Sequence, residues 1–141
     1  CIANNNIRDV KSFKELSHYL ITHIGNLYSY NSISKILKIS DLTIKEFIQI
    51  LQRCYLLKEI TAYAFSSKEQ LRSKKKSYVI DNGFIHVAAF SFSKNLGKLF
   101  ENLVFTELMK KYQSIIYYSD KTAFINDIKI KYGKEWLVSE I

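Results

Sequence analysis

The 141-residue chain is 48% hydrophobic and 24% charged, a balance that belongs to a folding domain and not to a disordered tail. Its 21 Lys and Arg against 13 Asp and Glu leave a formal charge of +8, which points toward polyanionic partners. The sequence excludes a transmembrane helix, because its apolar runs are short, and a P-loop of its own, because no G-x-x-x-x-G-K-[ST] occurs.

The first ten residues lack an apolar leader core, and Cys1 and Cys54 have no neighbours at metal-ligand spacing, so a reducing cytoplasm is the expected compartment. Cys54 falls on an apolar helical face and is expected in a core. His18, His23 and His86 are scattered and read as structural or surface residues. No Ser/His/Asp arrangement stands out.

In chain order, a first helix is expected after Ser12, with Phe13, Leu16, Leu20 and Ile24 at three- and four-residue steps and Gly25-Asn26 as its stop. A short second helix, capped by Asn31 or Ser32, turns Ile33, Ile36 and Leu37 inward. After the turn "KISD", Ile44, Phe47, Ile48, Leu51 and Tyr55 form a 3.6-residue stripe, and Thr43 with Glu46 fits a capping box. Two helices across a tight turn, the second with polar and basic residues off its apolar stripe, describe a helix-turn-helix.

"LLKEITAYAF" is then a strand and "SYVI" its returning partner. Between them "SSKEQLRSKKK" reads as a basic hairpin tip, so the first half is expected to be a winged helix. In that arrangement Thr43, Lys45, Gln49 and Arg53 on the second helix, with Arg72, Lys74, Lys75 and Lys76 on the wing, would face DNA. A charge run at a hairpin tip can equally be a solvated loop.

The second half begins with a turn at Asp81-Asn82-Gly83 and a short helix. A longer helix from Lys94 to Lys111 follows, then strands "SIIYYS", "FINDIKIK" and "EWLVSEI". The apolar residues of "LGKLFENLVFTEL" cover more than one stripe, which predicts a helix buried around much of its circumference. Glu101 stands among them and needs a partner, a proton or a metal. A two-residue turn at Gly133-Lys134 would set Tyr132 opposite Glu135 and, counting outward, Asp127 opposite Glu140. Facing acids repel unless a divalent cation lies between them, and Glu101 would be a third oxygen donor. A one-residue slip of register would instead separate the acids, leaving Glu101 in a local cap or ion pair.

"IRDVKSF", "NLYSYNSISKILKISDLTIKEFIQILQRCYLL", "KKSYVIDNGF" and "LGKLFENLVFTELMKK" occur here in the order that resembles a family of archaeal and bacterial AAA+-type ATPases. The resemblance implies an α+β fold: a winged helix-turn-helix, with its N-terminal segment, over residues 1–82, followed by a partial PD-(D/E)xK nuclease-like α/β core over 83–141. It further implies Glu101, Asp127 and Glu140 as catalytic, metal-binding carboxylates for Mg2+ or Mn2+. ATP would bind only in an N-terminal ATPase domain absent from this chain. Asn126 stands where the family usually has an acid, and the motif lysine would fall just beyond Ile141, so the chain would be a poor nuclease by itself. Arg8-Asp9 matches the family's "RD" pair, with Arg8 expected in a helix-start ion pair or, in the intact protein, near a nucleotide.

Three readings compete. One is a DNA-binding, metal-dependent phosphodiesterase module. The second is a catalytically silent platform that docks DNA or protein. The third is a regulatory module of the ATPase that docks another protein through Tyr28, Tyr30, Tyr63 and Phe65, with DNA irrelevant; any homo-oligomer would form through the parent ATPase, and no membrane is involved.

Overall fold

The computed structural model describes residues 7–64, 66–88, 96–112, 114–119, 126–132 and 135–139. The fold is mixed α+β. Helices α1 (Val10–Thr22), α2 (Tyr30–Leu37) and α3 (Asp41–Arg53) lead into strand β1 (Leu57–Thr61), short helix α4 (Ser67–Arg72) and strand β2 (Lys75–Val79). Helices α5 (Asn82–Ala88) and α6 (Leu96–Lys111) follow, then strands β3 (Ile115–Ser119), β4 (Asn126–Tyr132) and β5 (Glu135–Ser139).

Local chemistry sets the helix starts, two or three residues earlier than the sequence suggested. Asp9, not Ser12, caps α1: its carboxylate accepts the Ser12 N–H at 3.0 Å. Ser29 caps α2 in a reciprocal box with Ser32, and Ser40 caps α3 by accepting the Thr43 N–H at 3.1 Å. Phe13, Leu16, Leu20, Ile33, Ile44, Phe47, Ile48 and Leu51 close one apolar core between the three helices, with Cys54 packed against it. Phe13 and Phe47 meet edge to face at 5.2 Å within it.

β1 and β2 pair antiparallel from Leu57↔Val79 to Thr61↔Lys75. The other edge of β2 is met by the chain between α1 and α2: Tyr28 and Lys75 exchange N–H···O bonds of 2.9 and 2.8 Å, and the Gly25 N–H reaches Ser77 O. The spatial order is therefore Tyr28, β2, β1. With neighbours along both edges and helices against it, β2 is buried at every position.

The segment expected to be a loop tip is ordered differently. Residues 67–72 form α4, capped by Ser66, while Lys75 and Lys76 belong to β2 and are 8% and 3% exposed. Lys75 donates to Leu71 O and Ser73 O at the end of α4 and lies over the Tyr30 ring. A buried cation here satisfies carbonyls that a short helix leaves open.

α6 is also less enclosed than its sequence suggested. Asn102 and Phe105 are buried, but Leu96, Phe100 and Leu103 are 68%, 64% and 47% exposed. Phe105 stacks on Tyr78 and shares a cluster with Ile60 and Tyr117, so residues from both sides of position 82 build one core. β3, β4 and β5 form a second antiparallel sheet, reached from β1 through a parallel bridge between Ala62 and Tyr117.

Candidate functional site

Two groups of residues stand out: a polar cluster where α6 crosses β2, and the exposed face of α3.

Alternation along β2 turns Lys76 and Tyr78 to the same side. There the Tyr78 hydroxyl donates to Glu101 Oε1 at 2.7 Å and Lys76 Nζ reaches the same oxygen at 3.1 Å. Glu101 Oε2 takes Lys98 Nζ at 3.0 Å, and Lys98 also donates to Gly25 O at 3.1 Å. One carboxylate thus ties β2, α6 and the turn after α1 together. Burial works to raise its pKa, but the Tyr78 hydrogen bond and the Lys76 and Lys98 charges outweigh it, and the net shift is downward. Burial and the Glu101 charge hold the Tyr78 phenol far above its ordinary range, so it remains a donor.

Asn102, one residue on, is fully buried and behaves as a strand partner. Its Oδ1 accepts the Val79 N–H at 2.9 Å while its Nδ2 donates to Val79 O at 3.0 Å and to Asn82 Oδ1 at 2.6 Å. The expectation that Glu101 needs a partner is met by ammonium groups and a phenol. The signal for this was present in "KKSY" and "FENLV", two alternating or adjacent polar residues inside apolar elements, but nothing local says that they meet.

Gly25 lies against this cluster with φ +66, and a Cβ there would sit 2.9 Å from Glu101 Oε1. Gly25→Ala combines a left-handed backbone, worth about 1–2 kcal/mol, with a contact that a thrice-held carboxylate cannot relieve. Thermal unfolding of this variant is expected to fall by several degrees; an unchanged midpoint would mean that the turn relaxes freely.

Glu101 does not fit a divalent cation in this arrangement, since two ammonium groups already occupy its oxygens at 3.0 and 3.1 Å. The β4–β5 register runs from Tyr132↔Glu135 to Ile128↔Ser139, as the Gly133-Lys134 turn predicts. Asp127 stands opposite Tyr118 in β3, and Glu140 lies outside the described residues. Among the described residues no three His, Cys, Asp or Glu side chains gather at metal-binding distance.

The α3 face is different in kind. Ile44, Phe47, Ile48 and Leu51 are buried, while Lys45, Gln49 and Arg53 are exposed and Thr43 is half-buried. Lys68, Arg72 and Lys74 on and after α4 are exposed too. Of the eight residues expected to meet DNA, Lys75 and Lys76 are thus committed to the interior. At the end of α3, Gln49, Gln52, Arg53 and Tyr55 line an open hollow of about 500 Å3. Of the aromatics expected to form a docking surface, Tyr28 is buried and Tyr30 and Tyr63 are half-buried, and the Tyr28 and Tyr30 hydroxyls donate to Glu59 at 2.6 and 2.7 Å. Phe65 lies outside the described residues.

A family model described as "Domain of unknown function (DUF8612)" matches residues 3–96, from the approach to α1 to the start of α6. The chain belongs to this family. The family span contains the α3 face, the hollow and β2, and stops short of Glu101 and Asn102. An uncharacterized protein of Methanocaldococcus jannaschii is 34% identical over 115 residues, 78% of this chain and 25% of that protein. An uncharacterized protein of Haemophilus influenzae is 25% identical over 114 residues, 77% of this chain and 28% of its own length. The chain thus spans about a quarter of the curated relatives it matches. No solved structure matches it. Among the described residues, no helix is long and apolar enough to cross a membrane.

Proposed function

We propose that this chain is a nucleic-acid-binding module of winged-helix type, working within a longer ATPase of the AAA+ kind. The carrying observation is the division of α3 into a buried apolar stripe and an exposed face of Lys45, Gln49 and Arg53. The element order α1, Tyr28, α2, α3, β1, β2, with β2 between Tyr28 and β1, supports the winged-helix reading. In it α3 enters the major groove, and Lys68, Arg72 and Lys74 neutralise phosphates beside it. The ATPase context rests on the resemblance of "KKSYVIDNGF" and "LGKLFENLVF" to that family. Lys76 and Lys98 already neutralise Glu101, so the binding function calls for no Mg2+ or Mn2+ at this carboxylate. A protein-docking role is the alternative, and it predicts no salt-dependent affinity for DNA.

Fluorescence anisotropy of blunt duplex DNA across about 50–200 mM salt tests the proposal. Replacing Lys68, Arg72 and Lys74 together by alanine is expected to make the log–log salt slope shallower by about 2–3. These side chains are exposed, so the fold should survive the change. Undetectable binding at the lowest salt would overturn the reading.

A further inference from the structure

α3 ends in a turn whose geometry asks for glycine. The Leu56 N–H bonds Leu51 O and the Tyr55 N–H bonds Gln52 O, both at 3.0 Å, which places Tyr55 at the left-handed position of a Schellman motif. Its φ is 55. A tyrosine there is disfavoured by its Cβ, and glycine is the usual occupant. Packing does not compensate, since Tyr55 is 78% exposed. A strained, solvent-facing aromatic ring calls for a reason outside the fold.

Its surroundings supply one. Tyr55 stands on the wall of the hollow beside Arg53, Gln49 and Gln52. Gln52 Oε1 accepts the Glu59 N–H at 3.1 Å, which fixes that amide and leaves its NH2 as a donor. A π-face, a guanidinium and carboxamide donors, with no acid among the described residues of the lining, suit a planar ligand that is rich in acceptors and carries negative charge. A nucleobase on its phosphodiester chain has those properties. Within an intact duplex a base is stacked on both faces and cannot lie on the ring, whereas an unpaired one can.

We propose that this hollow receives an unpaired nucleobase, stacked on Tyr55 and held through Arg53, so that the chain prefers duplex ends or junctions carrying single-stranded nucleotides over uninterrupted duplex. The inference rests on the nucleic-acid reading of α3 and adds the form of nucleic acid. The site lies at the C-terminal end of the same helix, continuous with the Gln49 and Arg53 face, so one ligand can follow both.

The test compares a blunt duplex with the same duplex carrying a short single-stranded extension that contains 2-aminopurine. The expected result is tighter binding of the extended duplex by roughly 5- to 150-fold, the range of one stacked base, with a change in 2-aminopurine emission on binding. Tyr55→Phe should keep both signals. Tyr55→Gly should remove both, leave blunt-duplex affinity unchanged and raise the thermal midpoint, because glycine suits the left-handed turn. If Tyr55→Gly stabilises the chain and leaves the preference intact, Tyr55 is only a poor cap and the inference fails. Equal affinity for the two duplexes overturns the inference but leaves the DNA-binding reading standing, whereas absent binding to either overturns both. If a poly-glutamate peptide displaces the extension as well as unlabelled single strand does, the hollow takes acidic peptides and the inference is wrong.

Discussion

Asn102→Leu is expected to lower the stability of the chain by about 3–5 kcal/mol, from two or three buried polar groups orphaned at about 1–3 kcal/mol each. Leucine has the same branched skeleton with bulkier methyl ends, so the change opens no cavity and its cost is lost hydrogen bonding plus some overpacking. The substitution leaves the Val79 N–H and C=O without the amide that meets them at 2.9 and 3.0 Å, and it takes the donor from Asn82. Val79 is 1% exposed, so water does not replace the lost partners without opening the junction between β2 and α6. Asn102→Asp should be at least as damaging, because it removes the donor and buries a charge. Urea unfolding of the purified chain checks this. A loss below about 1 kcal/mol would show that the backbone at Val79 finds other partners.

Removing the Glu101 carboxylate should cost a similar amount by a different route. Lys76 has a side chain only 4% exposed, and Glu101→Ala leaves its ammonium buried beside the Tyr117 ring without a counter-charge. Breaking one side of a buried pair costs about 3–5 kcal/mol, whereas replacing both sides by apolar groups can be nearly neutral. The double variant Glu101→Leu with Lys76→Met is therefore expected to recover most of the loss, and a strictly additive pair of effects would refute the coupling. The pH dependence follows from the depressed Glu101 pKa. A carboxyl whose folded pKa lies below its ordinary 4.5 adds stability that is complete above that value and is lost as pH falls through the folded pKa. Unfolding free energy measured from about pH 6 down to pH 3 should drop for the wild type and drop less for Glu101→Gln. Asp9, also depressed, by its bond to Ser12, contributes equally to both proteins and cancels in the difference.

These two neighbours also mark how far the sequence could be read. An acid and an amide on an otherwise apolar helix announced a buried polar contact, and the demand that Glu101 be neutralised was correct. Its partner was not legible. The facing-acid argument for Asp127 and Glu140 supplied a metal, while the fold supplies Lys76, 25 residues earlier in the chain. Lys75 and Lys76 read as the end of a basic tip, because a run of like charges looks solvated. Pairing with β1, and with Tyr28 along the other edge, places both in β2, where Lys75 turns to the α4 carbonyls and Lys76 to Glu101. The α6 stripe erred in the opposite direction: its apolar residues predicted enclosure, but only the face around Phe105 meets Tyr78 and Tyr117.

Neighbouring residues alone determined the order and kind of the first three helices and the two strands that follow, though not their exact ends, and the β4–β5 turn register. Capping, 3.6-residue periodicity and two-residue turns are short-range chemistry, so they survive without the rest of the fold. Long-range packing decided which charges face water. Whether a lysine meets a phosphate or a carboxylate depends on what lies across from it, and burial makes an unpaired charge so costly that the fold must bring a partner from wherever the chain holds one. That is why Lys45, Arg53 and Lys74 remain available on the surface while Lys75, Lys76 and Glu101 became internal ties.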